Sequence, residues 1–150
     1  MNGSLGVALK EWDVVCRALG TGRQIMLLRK GGIHESAGEF ELEHMRFVMF
    51  PTFLHQNRAM LKPPYHAWQE QLEAEPGRVT LSLACEVDRI IEVKARRHID
   101  AMSDLHVWAP PLIDMRFTYR LANPLYLLLL RAFRFASREI DNTPDYAGCK

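Results

Sequence analysis

One long alternation of apolar and polar residues constrains the fold of this chain more than any other feature. Side chains of a β-strand point alternately to the two faces of its sheet, so the pattern predicts one long, half-buried strand. Arg89 shares the apolar parity and would point inward, and we therefore expect a bulge or a turn near Asp88-Arg89. The apolar members of the alternation are Val79, Leu81, Leu83, Cys85, Val87, Ile91 and Val93.

Further strands are indicated by shorter patterns. Ile113–Tyr119 alternates in the same way and is predicted to be a second strand of the sheet, with Met115 and Phe117 facing inward. The apolar segment Leu125–Phe135 predicts a third and more buried strand. Pro51 is expected to end one of the shorter strands, because proline cannot donate a hydrogen bond to a neighbouring strand. These shorter strands are predicted at residues 24–29, 39–43 and 46–50.

The predicted helices are short. Apolar residues recur at helical spacing over Ala8–Leu19, and Gly20-Thr-Gly22 is a suitable C-terminal stop. Trp12, Val14 and Cys16 also alternate as in a strand, but the glycine stop favours a helix. Further helices are predicted at 52–61, with Thr52 as its cap, at 65–74 and at 99–105.

The order of the predicted elements indicates the fold class. Strands and helices do not alternate in the rhythm of a doubly wound fold, which favours an α+β fold with a mostly antiparallel sheet and several short helices packed on it. The 150 residues fit one domain with one core. We expect a disordered N-terminus at 1–7, a single α+β domain at 8–141 and a disordered tail at 142–150.

Composition excludes several classes of protein. The net charge of +1 gives no strong attraction to nucleic acid or to an anionic membrane as a whole. The three cysteines are odd in number and far apart, without a CxxC pair, so neither a zinc site nor a disulfide framework is predicted. Reduced thiols and the lack of a signal peptide favour a cytoplasmic protein. The apolar run Leu125–Leu130 is too short to span a bilayer, and no membrane partner is predicted.

The residues that could carry chemistry are concentrated between Leu27 and Gln56. Arg29-Lys30-Gly31-Gly32 places two cations beside a turn with unobstructed backbone N–H groups, a combination that can hold a phosphate group. A surface hairpin whose glycines supply positive φ would have the same sequence. The segment lacks the GKS or GKT ending of a P-loop. The predicted binding residues are Arg29, Lys30, Gly31, Gly32, Arg46, Gln56 and Arg58.

Histidines and glutamates of the same stretch are the candidate catalytic groups. An unperturbed imidazole titrates near neutral pH, so His44 and His55 could act as general acids or bases, with Glu43 beside them. The same residue types could bind a divalent metal. Solvated glutamates and hydrogen-bonded histidines explain the pattern better, and we predict no metal site and no cofactor. The metal alternative would use His34, His44, His55, Glu35, Glu41 and Glu43.

Aromatic residues and arginines outside this stretch could also contact nucleic acid. Aromatic side chains can stack on bases, although most at these spacings are expected in the core. The late arginines could form a basic face or pair with the acidic middle of the chain. The aromatic residues are Trp12, Trp68, Trp108, Phe47, Phe50 and Phe53, and the arginines are Arg116, Arg120, Arg131 and Arg134.

The direction of two predicted strands decides whether the candidate residues form one site. If the strand ending at Arg29 and the strand ending before Pro51 are parallel neighbours, Lys30 and His55 converge. If the strands are antiparallel neighbours, His55 lies one strand length away, about 15–20 Å. We predict convergence, because it explains why polar residues are concentrated at strand ends.

Four motifs carry a family resemblance. They are LLRKGGI at 27–33, FVMFPTFLHQ at 47–56, LHVW at 105–108 and PLYLLLLRAFRF at 124–135, in this order. On these motifs the chain resembles the bacterial and archaeal family known as domain of unknown function 1802, over about residues 8–137. His44 and His55-Gln56 match the family pattern. The resemblance implies no assigned reaction, but some relatives are linked to a restriction-endonuclease-like domain, which implies a restriction or nucleic-acid context.

Three functions are consistent with the sequence. The first is a nucleic-acid- or phosphate-binding accessory module linked to restriction or defence. The second is a small phosphate-handling or nuclease-like enzyme, and the third is a scaffold for a protein partner. A cluster of Arg29, Lys30, His44 and His55 in one pocket would favour the enzyme, and their spread over a convex face would favour the binding module. A large exposed apolar patch would favour the scaffold.

Overall fold

The computed structural model describes residues 7–30 and 45–143. The strands are β1 (Ala8–Trp12), β2 (Met26–Lys30), β3 (Arg46–Thr52), β4 (Arg78–Val93) and β5 (Leu125–Asp141). The α-helices are α1 (Asp13–Gly20), α2 (Arg96–Asp100) and α3 (Pro110–Thr118). Short 3-10 helices cover Arg58–Met60, Pro63–Trp68 and Ser103–Leu105.

Several predicted features lie outside the described residues. They are the strand at 39–43, the Gly31-Gly32 turn and, apart from Val7, Asn142 and Thr143, the ends expected to be disordered at 1–7 and 142–150. Within the described part of the chain, no helix has the length and apolar character needed to cross a bilayer.

The five described strands form one sheet in the order β1-β3-β4-β5-β2. Only β1 and β3 are parallel, and the other three neighbouring pairs are antiparallel. Short helices pack on this sheet, so the predicted α+β fold with a mostly antiparallel sheet is confirmed. The predicted strands at 24–29 and 125–135 are confirmed as β2 and as the first part of β5.

The long strands β4 and β5 form the centre of the sheet, and their pairing is irregular at two places. Asp88 is an extra residue of β4 between the pairs that Val87 and Arg89 make with β5, which confirms the predicted bulge. The second irregularity is on β5, where Phe135, Ala136 and Ser137 lie opposite Ser82 alone. Bulges bend a strand and re-aim its side chains.

An ion pair between the two outer strands shows that the sheet bends on itself. Arg29 Nη1 of β2 lies 3.8 Å from Glu11 Oε2 of β1. In a flat sheet four strand spacings would separate these strands by about 19 Å, which is beyond the combined reach of the two side chains. The bent sheet surrounds a core to which α1, β2 and the first half of β5 contribute heavily.

The first predicted helix is half wrong. Residues 8–12 form β1, and the helix begins only at Asp13. Val7 O accepts a hydrogen bond from Val48 N at 2.9 Å, and β1 then pairs with β3 along its length. This long-range pairing overrides the local helical spacing. The predicted stop is correct, because α1 ends at Gly20 and Gly22 follows with a φ of 77°.

Pro51 does not end its strand. Val48 donates its N–H toward β1, and N–H groups alternate along a strand, so the nitrogen of Pro51 faces the β4 side. β4 pairs with β3 only as far as Val48. The missing N–H of Pro51 therefore costs no hydrogen bond, and β3 continues to Thr52.

The two helices predicted after β3 are also wrong. The carboxylate of Glu75 accepts hydrogen bonds from the backbone N–H groups of Phe53 and Leu54, which turns the chain where a helix was expected to begin. Asn57, not Thr52, caps a single 3-10 turn at Arg58–Met60 by accepting from Ala59 N. The predicted helix at 65–74 is replaced by the 3-10 helix that ends at Trp68.

The strand predicted at Ile113–Tyr119 is wrong, since these residues belong mostly to α3. Two prolines, Pro110 and Pro111, occupy its first turn, where their fixed φ suits a helix and no N–H is needed. Leu112 and Ile113 are both buried, which alternation in a strand would not allow, whereas Met115 is 42% exposed. The long neighbour of β4 is β5 instead.

A buried polar cluster joins the segment before α3 to the rest of the fold. Gln24 accepts a hydrogen bond from Val107 N at 3.1 Å and donates to Met26 O at 2.9 Å. Lys62 Nζ donates to His106 O at 2.7 Å. His106 Nδ1 accepts from Trp108 N at 3.2 Å, so its ring proton is on Nε2 when the ring is neutral.

Because His106 is part of this cluster, we expect the free energy of unfolding to fall in acid. Burial, followed by the charge of Lys62, lowers the pKa of His106 from 6.5 to about 4, against a smaller opposing effect of Asp100. The unfolded chain then binds a proton that the native protein does not bind. The free energy of unfolding should therefore fall by about 1–3 kcal/mol as the pH drops from the ordinary histidine pKa toward the lowered one.

Urea denaturation over a pH series measures this effect. His106→Asn supplies an oxygen acceptor for Trp108 N but does not titrate, and it should lose less stability than the wild type over the same pH interval. An identical pH dependence for the two proteins would contradict the role of His106.

Candidate functional site

The predicted cations at the end of β2 have partners within the fold. Arg29 lies beside Glu11, as described above, and its Nη1 donates to Leu28 O at 3.2 Å. Lys30 Nζ donates to Phe117 O at 3.2 Å and to Asn123 O at 3.0 Å, which ties β2 to the end of α3 and the turn after it. Desolvation by burial lowers the pKa of Lys30.

The other predicted site residues lie in separate surroundings. Arg46 pairs with Glu86 on β4 at 3.1 Å. Gln56 is buried, and its Oε1 accepts from Val14 N at 2.9 Å, so it holds the first turn of α1. His55 and Arg58 are exposed on the segment after β3. Gly31, Gly32, Glu43 and His44 lie outside the described residues.

The strand arrangement does not provide the convergence that we predicted. β2 and β3 are separated by β4 and β5 in the sheet, and they run in opposite directions. The parallel neighbours that would bring Lys30 and His55 together are therefore absent. Among the described residues, no hydrogen bond or ion pair joins any two of the predicted site residues.

A different part of the molecule forms a cleft of about 630 Å³. It lies between α1 on one side and the first half of β4 with the second half of β5 on the other, with the end of a 3-10 helix at its rim. Its volume is within the range of small-molecule sites in proteins. The lining includes Asp13, Cys16, Arg17, Gly20, Trp68, Thr80, Ser82, Arg134, Phe135 and Ser137.

The bulge of β5 contributes directly to this cleft. Phe135 and Ser137 are two of the three bulged residues, and both line the cleft together with Ser82 opposite them. Thr80, also on β4, adds its hydroxyl group to those of Ser82 and Ser137. Hydroxyl groups both donate and accept hydrogen bonds, so this wall can contact a polar ligand in several orientations.

Arg134 is the cation of the cleft that has no acidic partner in the described structure. Its Nε donates to Gly20 O, the last carbonyl of α1, at 2.9 Å. Of the carboxylates in residues 7–30 and 45–143, none lies within 4.0 Å of its guanidinium group. One contact thus fixes the side chain, and no carboxylate of the described residues forms an ion pair with it.

Arg17, the second cation of the cleft, is placed between two acids. Its Nη2 lies 2.6 Å from Glu70 Oε1, and its Nε lies 2.8 Å from Asp13 Oδ2, at ion-pair distance but without the direction of a hydrogen bond. Asp13 is buried at the start of α1. Burial raises the pKa of Asp13, and the charge of Arg17 opposes that shift.

Aromatic and sulfur groups complete the lining. The ring of Trp68 is half-buried and packs edge-to-face on Tyr65, with centroids 5.0 Å apart and an interplanar angle of 88°. Burial raises the pKa of the Cys16 thiol, and Cys16 Sγ contacts Glu11 O at 3.7 Å. A thiol that stays protonated is a poor nucleophile, so Cys16 is an apolar part of the wall.

Sequence reasoning identified two members of the cleft, Trp68 and Arg134, among broader groups of aromatic residues and arginines. It missed Asp13, Arg17 and the hydroxyl groups of Thr80, Ser82 and Ser137. These residues come from three separate stretches of the chain, and no motif with characteristic spacing connects them. The signal that was available locally is the pairing of Asp13 with Arg17 four residues later on one helix face.

Comparisons with known proteins identify the fold. The chain is similar to a crystal structure of a mutant of the ZmASCH protein from Zymomonas mobilis, with a TM-score of 0.50 and 9% sequence identity. The similarity covers 83% of this chain and 66% of that one, just under two thirds of its length. At this identity the similarity shows a shared fold. No curated protein matches the chain in a sequence search.

The family comparison agrees with the resemblance seen in the sequence motifs. The model of the family described as "Domain of unknown function (DUF1802)" matches residues 8–150, nearly the whole chain. The match extends past the end of the predicted region of resemblance and includes every segment that forms the cleft. The chain therefore belongs to the DUF1802 family of domains of unknown function.

Proposed function

We propose that this protein binds single-stranded nucleic acid in the cleft between α1 and the β4–β5 pair. The proposal rests on the surroundings of Arg134. Its guanidinium group is held by Gly20 O and has no carboxylate neighbour in the described structure. A planar guanidinium group binds phosphate oxygens in a two-pronged geometry. Hydroxyl groups on the wall beside it can donate further hydrogen bonds to the same phosphate.

The aromatic residues of the cleft could stack on a base next to that phosphate. Trp68 and Phe135 both line the cleft and are only partly buried. Stacking of bases on such rings tolerates any base, because every base has a π-face. A ring can stack on a base only when the base is free of its own neighbour, which favours a single strand over a duplex.

Residues outside the cleft would have a smaller part. Arg58 is exposed on the segment after β3 and has no acidic partner in the described structure, so it can contact a phosphate further along a strand. Arg29, Lys30 and Arg46 are engaged within the fold and would contribute less. A module of this kind would hold nucleic acid for a partner enzyme, the restriction or defence context that the family resemblance implies.

Fluorescence anisotropy with a labelled oligothymidylate of about ten residues tests the proposal. We expect binding that weakens with salt, with a log–log slope of about −0.7 for each phosphate contacted. A duplex of the same length should bind more weakly, because its bases cannot reach Trp68. Equal or tighter binding of the duplex, or no binding of the single strand at low salt, would contradict the proposal.

A further inference from the structure

The charges around the cleft suggest which kind of phosphate it accepts. Arg17 and Arg134 are its two cations, and only Arg134 lacks an acidic neighbour in the described structure. Asp13 and Glu70 both contact Arg17, and so offset its charge. Among the described residues of the cleft, Arg134 is therefore the cation that remains available to a phosphate, while the four charged groups together carry no net charge.

A phosphate inside a nucleic-acid strand carries one negative charge. A terminal phosphate carries about −1.5 to −2 near neutral pH. Arg134 can pair with one charge of a phosphate, and the second charge of a terminal phosphate would meet Arg17, which already contacts two carboxylates.

Resting on the proposed function, we infer that the cleft selects an internal phosphodiester over a terminal phosphate, and that Glu70 sets this selectivity through Arg17. The cleft thus takes a strand along its length, not its phosphorylated end. Asp13 is buried at the helix start and contributes to the fold, whereas the side chain of Glu70 is 51% exposed and contacts Arg17 from the surface. Glu70 is therefore the member of the network that can be changed without disturbing the core.

Glu70→Gln should increase affinity for a terminal phosphate. Removing the carboxylate leaves Arg17 with one acidic partner, and the free-energy gain scales with ligand charge. A terminal phosphate should gain about threefold to tenfold in affinity. An internal phosphate carries about half that charge, so its affinity should rise by only about the square root of that factor. Glu73→Gln is the matched control. Glu73 lies three residues after Glu70, is also exposed and has no ion pair in the described structure.

The experiment compares two unlabelled oligothymidylates, with and without a 5′-phosphate, as competitors for the labelled strand on the intact protein. We expect the wild type and Glu73→Gln to bind both equally, or the unphosphorylated strand more tightly. Glu70→Gln should shift the preference toward the phosphorylated strand.

Two results would overturn the inference and leave the proposed function standing. One is a wild-type protein that prefers the 5′-phosphorylated strand about tenfold, and the other is a preference that Glu70→Gln leaves unchanged. Loss of binding of the labelled strand itself would be a failure of the proposed function, and the inference would fall with it.

Discussion

Replacing Arg134 with glutamine is expected to weaken binding of single-stranded nucleic acid by about 10-fold to 100-fold. Hydrogen bonds between a guanidinium group and a phosphate contribute about 1.5–3 kcal/mol, which corresponds to this range. Arg134 is the cation of the cleft without an acidic partner in the described structure, so other charges of the lining cannot replace it. The slope of log affinity against log salt should also fall by about one phosphate contact.

Arg97→Gln is the matched control for this variant. Arg97 is an exposed arginine on α2, which follows the end of β4 remote from the cleft residues Thr80 and Ser82, so its loss should leave the affinity nearly unchanged. Arg134 itself is exposed on β5, and thermal unfolding of the variant close to that of the wild type would show that the fold is retained. Equal loss of binding in the two variants would mean that attraction is general and that the cleft is not the site.

Replacing Phe50 with alanine is expected to lower the free energy of unfolding by about 3–5 kcal/mol. Its side chain is 1% exposed on β3 and is among the largest fully buried side chains. The loss combines the removal of a large apolar surface from the interior with the cavity that remains. The ammonium group of Lys10 lies 5.3 Å from the ring centroid, and this contact would be lost as well.

Phe133→Ala provides the comparison for this stability measurement. Phe133 is 47% exposed on β5, so its truncation should cost far less in urea denaturation. Similar losses for the two variants would contradict the burial of Phe50 in the structure.

Features that depend on local pattern could be predicted from the sequence. The alternation over Val79–Val93 was sufficient to predict β4, and the inward parity of Arg89 was sufficient to predict its bulge. The alternation at Ile113–Tyr119 led to a wrong strand prediction, because Pro110 and Pro111 start a helix there. In this helix Leu112 and Ile113 are the buried residues. The helix signal was present in those prolines, and the apolar spacing was given more weight.

Features that depend on contacts between distant segments could not be predicted. β1 becomes a strand because β3 pairs with it, and Pro51 remains in a strand because β4 stops pairing before it. The cleft has the same origin. Arg134 appeared in the sequence as one of several late arginines, and only its contact with Gly20, more than a hundred residues earlier, distinguishes it.

The predicted binding residues show the same limit. Arg29 and Lys30 beside two glycines are typical of a phosphate site, but the bent sheet gives Arg29 an acid on another strand and gives Lys30 two backbone carbonyls. Gln56 was predicted to bind a ligand, yet its side chain holds the start of α1. The identity of a side chain is visible in sequence, whereas the partner that neutralises it is not.

Backbone amide chemical shifts of the 15N-labelled protein, followed during titration with oligothymidylate, test the cleft most directly. We expect the largest changes in the first part of β4 around Thr80 and Ser82, at Arg134 and the β5 bulge that follows it, and at the indole N–H of Trp68. Changes confined to the end of β2 near Lys30 or to the surface around Arg58, with these cleft signals unmoved, would contradict it.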